Sequence, residues 1–280
     1  MAYKTLLTVI TDRDLMAGTL DAAATLAGGL DAHLDVLCLG VDRTQTGYYY
    51  AGANAMVLQE TLTRASADAD ALASAARAHL AKYDIRWGLD HGVAQLADIG
   101  RHVAAHARFS DLVVLPKPYG DGCGVELEPV IEGALFEGGV PVLVSPGPKV
   151  PISATPQRVV LAWNESSESL RAIRAALPLL KGAEVAHVVV IDPPQHGASR
   201  SDPGGMLSQY LARHGVKPEI EVLAKTLPRV SDVLIRHATD VDAELVVMGA
   251  YGHSRFREAI LGGATRYMLE QAGIPVLMAH

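Results

Sequence analysis

A group of glycine, hydroxyl and guanidinium residues follows an apolar run near the end of the chain. Residues 245–248 form a continuous apolar segment, typical of a strand covered on both faces. Gly249 and Gly252 come next, and glycine permits positive φ and carries no Cβ, so we expect the backbone to curl and present N–H groups to a small anion. Ser254 and Arg255 add a hydroxyl and a fork of donors suited to phosphate.

The helix that follows this loop adds a second anion-binding feature. Gly262 and Gly263 interrupt an amphipathic pattern, which predicts a helix start near Ala264, with Thr265 in the first turn. The free N–H groups and positive dipole end of that helix then face the loop, and His253 is either a further phosphate donor or a solvent-facing residue. The sequence therefore predicts a phosphate-binding loop, although a plain strand-to-helix turn would explain its first two glycines alone.

The spacing of these glycines resembles a known family. Gly249, two residues, Gly252, nine residues and Gly262 reproduce the nucleotide motif of the universal stress protein family. The surrounding GAYGHSRFREAILGGATRYML and the closing IPVLM also resemble that family, in its tandem-domain form. This resemblance implies a bound ATP, or AMP or ADP, with Mg²⁺ as a candidate companion ion. Neither GxGxxG nor GxxxxGK[ST] occurs at this turn, which argues against dinucleotide and Walker-type sites.

Two positions depart from the family pattern. The family's nucleotide-binding members usually have Ser or Thr directly after the third glycine, where this chain has Gly263. The family also places adenine and ribose against an Asp after the first strand and a backbone position near the end of the second, which correspond to Asn164 and Val190. Asn keeps an acceptor and adds a donor but loses the charge. The alternative role for Asn164 is that of a turn or cap residue.

Three functions remain open at this stage. The first is a stress-response protein whose second domain binds ATP or a related adenine nucleotide as a regulatory ligand. The second is a nucleotide-free scaffold or interaction module of the same fold, favoured by Gly263 and Asn164. The third is an enzyme of the wider adenine-nucleotide α-hydrolase-like group. The sequence contains no GxSxG, no motif of paired carboxylates and no base beside a nucleophile, so we expect no catalysis beyond slow ATP hydrolysis.

The chain contains an internal duplication. SDLVVLPKPYG in the first half matches AELVVMGAYG in the second, and GGVPVLVSP matches AGIPVLMAH. The first copy has Pro116 and Tyr119 in place of the first two glycines and Glu128 near the third, so this loop is not expected to hold phosphate. Asp12 is interpreted as a relic of a lost site. We predict domains at residues 1–147 and 155–280, joined by a proline-rich linker.

Alternating strand and helix patterns predict the fold class. It is α/β, with two tandem doubly wound parallel five-stranded sheets flanked by helices, adenine-nucleotide α-hydrolase-like and Rossmann-like. The predicted strands span residues 6–11, 34–41, 85–89, 111–115, 140–144, 158–163, 185–191, 220–224, 245–248 and 274–278. The predicted helices span residues 18–30, 55–83, 94–107, 167–180, 206–214 and 230–239, with a last one starting near 264. The closing strands 140–144 and 274–278 are expected to pair, since uncovered apolar edges invite pairing. A homodimer of whole chains is left open.

Composition excludes several classes of partner. The 280 residues are 49% hydrophobic and 20% charged, with a net charge of −7, and no basic face for nucleic acid is expected. No apolar run approaches the ~18 residues of a membrane helix, and the start of the chain does not resemble a signal peptide. Cys38 and Cys123 lie far apart, which indicates a reducing cytoplasm without disulfides or structural zinc.

Two further clusters have simpler alternatives. His102 and His106 lie four residues apart on a predicted helix, a spacing that can chelate a metal, but the HExxH glutamate and a third ligand are missing. A solvated helix face is the preferred interpretation, and no metal site is predicted. Residues 48–50 are three consecutive tyrosines, which either line a pocket or cap a helix or an interface.

Overall fold

The computed structural model describes residues 2–43, 54–193, 202–250 and 263–280. The strands are β1 Thr5–Ile10, β2 His33–Asp42, β3 Trp87–Gln95, β4 Leu112–Pro116, β5 Val142–Ser145, β6 Arg158–Ala162, β7 Val185–Ile191, β8 Pro218–Leu223, β9 Leu245–Gly249 and β10 Val276–Ala279. The helices are α1 Arg13–Leu30, α2 Asn54–Leu80, α3 Ile99–Ala107, α4 Leu127–Glu132, α5 Ser167–Leu180, α6 Gly205–Arg213, α7 Val230–Asp240 and α8 Ala264–Gln271. A 3₁₀ turn, Leu96–Asp98, precedes α3, and a π-helical turn, Gly133–Glu137, extends α4.

The chain divides into two compact units. The first spans residues 4–140, and the second spans residues 141–280 with residues 1–3. In the first unit the strand order is β3-β2-β1-β4, and every pair is parallel. Right-handed crossovers put α1 and α2 on one face of this sheet and α3 and α4 on the other, and α1 indeed contacts α2 while α3 contacts α4.

The second unit repeats this pattern with one added strand. Its strand order is β5-β10-β9-β6-β7-β8, and the four pairs that β6 to β10 form among themselves are parallel. β5 is antiparallel to β10, with Val144 opposite Val276 and Val142 opposite Met278. The predicted pairing of the closing strands is confirmed. The predicted doubly wound α/β class is also confirmed. One correction is that β5 lies in the second unit, where its antiparallel pairing makes the sheet mixed.

Continuous apolar runs form the core strands, as expected where helices cover both faces of a sheet. Residues 112–115 of β4 and 245–248 of β9 are fully buried. Within the described residues, no helix is long and apolar enough to cross a membrane. The tyrosines at 48–50 lie outside the described residues.

Two element boundaries in the first unit were predicted wrongly. α1 begins at Arg13, not at residue 18, because Oδ1 of Asp12 accepts hydrogen bonds from the N–H groups of Asp14 (2.7 Å) and Leu15 (3.2 Å). β3 continues to Gln95, where a helix was predicted from residue 94. The reason is that β2 is long and pairs with β3 over nine residues.

Candidate functional site

The strand order of the second unit reverses between β6 and β9. The chain leaves β6 toward β7 on one side, while β9 lies on the other side. In such sheets a ligand binds in the crevice beyond the carboxyl ends of the two strands at the reversal. Asn164 comes shortly after the end of β6, and Gly249 ends β9, so the fold brings these two predicted site residues to the same edge of the sheet.

Asn164 begins the turn into α5. Its side chain is exposed, and its Oδ1 accepts a hydrogen bond from the N–H of Ser166 at 3.2 Å. Glu165 has a positive φ of 61°, and Ser166 then caps the helix, with Oγ accepting from the N–H of Ser169 at 3.1 Å. Asn164 is therefore a turn residue, which was one of the two roles that the sequence left open. The turn that it forms lies beside the crevice.

Gly249 is required for close packing. A Cβ at this position would lie 2.5 Å from the backbone nitrogen of Ser169 and 2.8 Å from the carbonyl carbon of Glu168. Its φ is not among the positive glycine φ values of the described residues, so this position does not use the positive φ that glycine permits. The missing side chain instead lets the end of β9 lie directly against the first turn of α5.

Glu168 gives the start of α5 a negative charge. Its own backbone N–H, together with the hydroxyls of Ser167 and Ser166 and the nearby His280, lowers the pKa of this carboxyl, while partial burial opposes the shift. The Oγ of Ser167 lies 3.1 Å from its Oε1. An ionised carboxylate already uses the positive end of α5, so this helix is a poor place for a phosphate.

The N-terminus of α8 has no such carboxylate. Its N-cap is Gly263, which makes no side-chain capping bond, and its first turn carries Ala264 and the buried Thr265. α8 must run back to the start of β10, so its N-terminus lies at the edge where β9 ends. This is the end at which backbone N–H groups and the helix dipole favour an anion.

Five predicted phosphate contacts lie outside the described residues: Gly252, His253, Ser254, Arg255 and Gly262. They belong to the segment 251–262 that joins β9 to α8. Of the predicted set, the structure thus places Asn164 and Gly249 together, and places Gly263, Ala264 and Thr265 at the far end of the same connection.

Val190 lies at the end of β7, next to β6. The pairing of β6 with β7 ends at Ala162 opposite Val189, where the N–H of Trp163 donates to the Val189 carbonyl at 2.9 Å. Val190 is one residue beyond that point, with its side chain 5% exposed. Any contact it makes with a ligand would therefore be through its backbone, as the family resemblance implies.

A cleft beside Trp163 was missed by sequence reasoning. It has a volume of about 360 Å³ and lies between α5 and α6, where Leu170, Met206 and Tyr210 supply apolar surface and Arg174 is the cation. The guanidinium of Arg174 lies 5.7 Å from the centroid of the Tyr210 ring. In the sequence, the exposed position of Met206 and the spacing of Leu170 and Arg174 on α5 form no local motif for this cleft.

The corresponding crevice of the first unit is closed. The space between the ends of β1 and β4 measures about 10 Å³ and is lined by Asp12, Pro116 and Leu127, among others. The fully buried Glu126 lies just before α4, where one of its oxygens is 2.6 Å from Nη2 of Arg43. Asp12, interpreted as a relic of a lost site, serves here as the N-cap of α1.

The predicted differences between the two loops have structural counterparts. The hydroxyl of Tyr119 donates to Oε1 of Glu128 at 2.7 Å, so two of the three residues at or near the positions of the motif glycines bind each other. On α3, His102 is exposed and His106 is half-buried, and neither belongs to a metal-type cluster among the described residues.

Taken together, the fold and the crevice define a doubly wound α/β protein with a glycine-bearing loop at its topological switch point. Residues 156–280 match the model of the universal stress protein family. A universal stress protein of Synechocystis sp. is 31% identical over 96 residues, which are 32% of this chain and 31% of that relative. The match thus spans about a third of the relative's length.

Solved structures extend the likeness of fold to the whole chain. A universal stress protein from Archaeoglobus fulgidus DSM 4304 is 14% identical, with a TM-score of 0.69 over 98% of this chain and 95% of its own. A functionally unknown protein from Pseudomonas aeruginosa PAO1 is 16% identical, with a TM-score of 0.58 over 99% and 92%. The match of residues 156–280 to the family model agrees with the resemblance seen in the sequence of the second half of the chain.

Proposed function

We propose that this protein binds ATP or a related adenine nucleotide in the second unit and uses it as a regulatory ligand. The observation that carries the proposal is the connection from Gly249 to Ala264. It starts where a glycine lets β9 lie against α5 and ends at a helix N-terminus without a side-chain cap. That arrangement is suited to phosphate.

The surroundings of the crevice support a nucleoside as well as a phosphate. The cleft of about 360 Å³ beside Trp163 falls in the size range of small-molecule sites and offers aromatic and apolar surface to a base. Asn164 and the backbone of Val190 are the proposed contacts for ribose and adenine. Mg²⁺ is the proposed companion of the triphosphate, because it is usually held by phosphates and few protein ligands.

The first unit is proposed to lack a nucleotide site. Its crevice of about 10 Å³ is far too small for a nucleoside. The proposed domains are residues 1–147 and 155–280. The proposed stoichiometry is one nucleotide per chain, bound in the second domain. No general base is placed beside a nucleophile among the described crevice residues, so we propose at most slow ATP hydrolysis.

The competing proposal is a scaffold of the same fold that binds no nucleotide. Gly263 at the position of a usual Ser or Thr, and Asn164 at that of a usual Asp, favour it. Calorimetric titration of the full chain with ATP and Mg²⁺ separates the two. We expect saturable heat with one site per chain, whereas no heat and no thermal shift at millimolar ATP would favour the scaffold.

Arg255 is predicted to distinguish phosphate from base. In Arg255→Ala we expect the affinity for ATP to fall by about 10-fold or more, since a charge-assisted hydrogen bond contributes about 1.5–3 kcal/mol. Affinity for adenosine should stay unchanged, because a guanidinium acts on phosphate charge. Titrations of both ligands measure this.

The matched control is Arg101→Ala, which removes an exposed guanidinium from the first unit. It should alter neither affinity. An equal loss of ATP and adenosine in Arg255→Ala would assign Arg255 a structural role and contradict the prediction.

The cytoplasm is the proposed location. Both cysteines are free thiols, with Cys38 buried and Cys123 partly buried. Burial raises the pKa of Cys38 to about 11 and also raises that of Cys123, so neither forms a reactive thiolate near neutral pH. Such inert thiols suit a reducing compartment.

A further inference from the structure

Three metal-ligating side chains from separate elements converge in the second unit. His187 lies on β7, Glu221 on β8 and His237 on α7, and one donor atom of each lies within 4.8 Å of the other two. Nδ1 of His187 is 2.5 Å from Oε1 of Glu221, and Nε2 of His237 is 3.1 Å from Oε2. These residues are far apart in the sequence and fit no spacing motif, so sequence reasoning missed them.

The strand register fixes two of the three residues on one face of the sheet. His187 is opposite Glu219 in the parallel pair of β7 and β8. Glu221 is two residues further along β8, so its side chain points to the same face as that of His187. α7 brings His237 to that face from its last turn. The cluster is thus set by the backbone of three elements and does not depend on a loop.

Both imidazoles are buried with an unsatisfied nitrogen. His187 is 8% exposed and His237 is 9% exposed, and Nε2 of each is buried without a hydrogen-bond partner. The 3.1 Å approach of His237 to Glu221 is a close ionic contact without hydrogen-bond geometry. Nε2 of His237 faces Glu221, so this buried atom without a hydrogen-bond partner indicates that a partner atom belongs between them.

We propose that His187, Glu221 and His237 bind a zinc ion. Two imidazoles and one carboxylate form a set that zinc accepts, whereas Mg²⁺ and Ca²⁺ prefer oxygen ligands alone. Ligand atoms around a tetrahedral zinc ion lie about 3.4 Å apart, so the cluster needs only small side-chain adjustments. Glu221, with 28% of its side chain exposed, gives the ion a path from solvent and leaves a fourth position for water.

The test is a zinc titration of the full chain without nucleotide, in competition with a chromophoric chelator. We expect one zinc ion per chain. Glu221→Gln and His237→Gln should each weaken binding by about 100-fold or more, because each removes a direct ligand. The control is His102→Gln, which removes an exposed histidine from α3 and should leave zinc affinity unchanged.

Cobalt(II) gives an independent readout of the coordination geometry. The wild-type chain should show the intense visible absorption of a tetrahedral site, and Glu221→Gln should lose it while keeping the wild-type circular dichroism. Because Glu221 is partly exposed, Glu221→Gln is expected to fold, so it tests zinc binding even if His237→Gln fails to fold. Equal zinc affinity in wild type and Glu221→Gln, or no zinc binding by the wild type, would overturn the proposal and leave the cluster as a hydrogen-bonded ionic group.

Discussion

Replacing Gly249 by valine is expected to reduce ATP affinity by about 100-fold or more. The new Cβ would lie 2.5 Å from the backbone nitrogen of Ser169, and this backbone cannot move aside cheaply. The first turn of α5 must therefore shift, and with it the turn held by Asn164. Displacements of about 1 Å in a binding site are enough for losses of this size. Calorimetric titration with ATP measures the effect.

Two comparisons show whether the loss is local. Tyr119→Val changes the matching loop of the first unit and should leave ATP affinity unchanged. Gly252→Val should reduce ATP affinity as much as Gly249→Val does. Circular dichroism checks folding, and the smaller Gly249→Ala serves if the valine variant unfolds. A folded Gly249 variant with wild-type affinity would contradict the proposed site, and equal losses from Tyr119→Val would show that the first loop also binds.

A fragment of the second unit that lacks β5 is expected to self-associate. β10 is apolar and buried, with Val276 and Leu277 at most 1% exposed, and β5 pairs with it through Val144 and Leu143. A fragment of residues 151–280 lacks β5, so one edge of β10 loses its hydrogen-bond partners. Such an edge pairs readily with a second copy.

Light scattering of the fragment at several concentrations, beside the full chain, measures this. We expect a dimer or larger species whose mass rises with concentration. A fragment that stays monomeric and unfolds at the same temperature as the full chain would show that β5 contributes little to covering β10.

Much of the second unit could be predicted from sequence because its local signals agree. α5 and β7 have the bounds that the pattern predicted, since Ser166 is a helix cap and residues 185–191 are almost entirely apolar. The start of α1 and the end of β3 were predicted wrongly, the first because a capping residue was overlooked and the second because strand pairing is not a local signal. Asp12 caps α1 five residues earlier than the alanine-rich pattern suggested, and β3 is extended by its pairing with β2.

The site was predictable in part. Glycine spacing identified the connection between β9 and α8, but the reason for Gly249 was a contact with α5, more than 70 residues away in the chain. Such contacts leave no local pattern. His187 and Glu221 are 34 residues apart on neighbouring strands, and only the register brings them together.

Hydrogen exchange of the full chain with and without ATP locates the bound nucleotide. We expect slower exchange in peptides covering residues 163–170 and 249–267, where the turn of Asn164 and the start of α8 lie. Peptides covering residues 11–16 and 116–128 of the first unit should be unchanged. Protection confined to the first unit, or no protection at saturating ATP, would contradict a nucleotide site in the second unit.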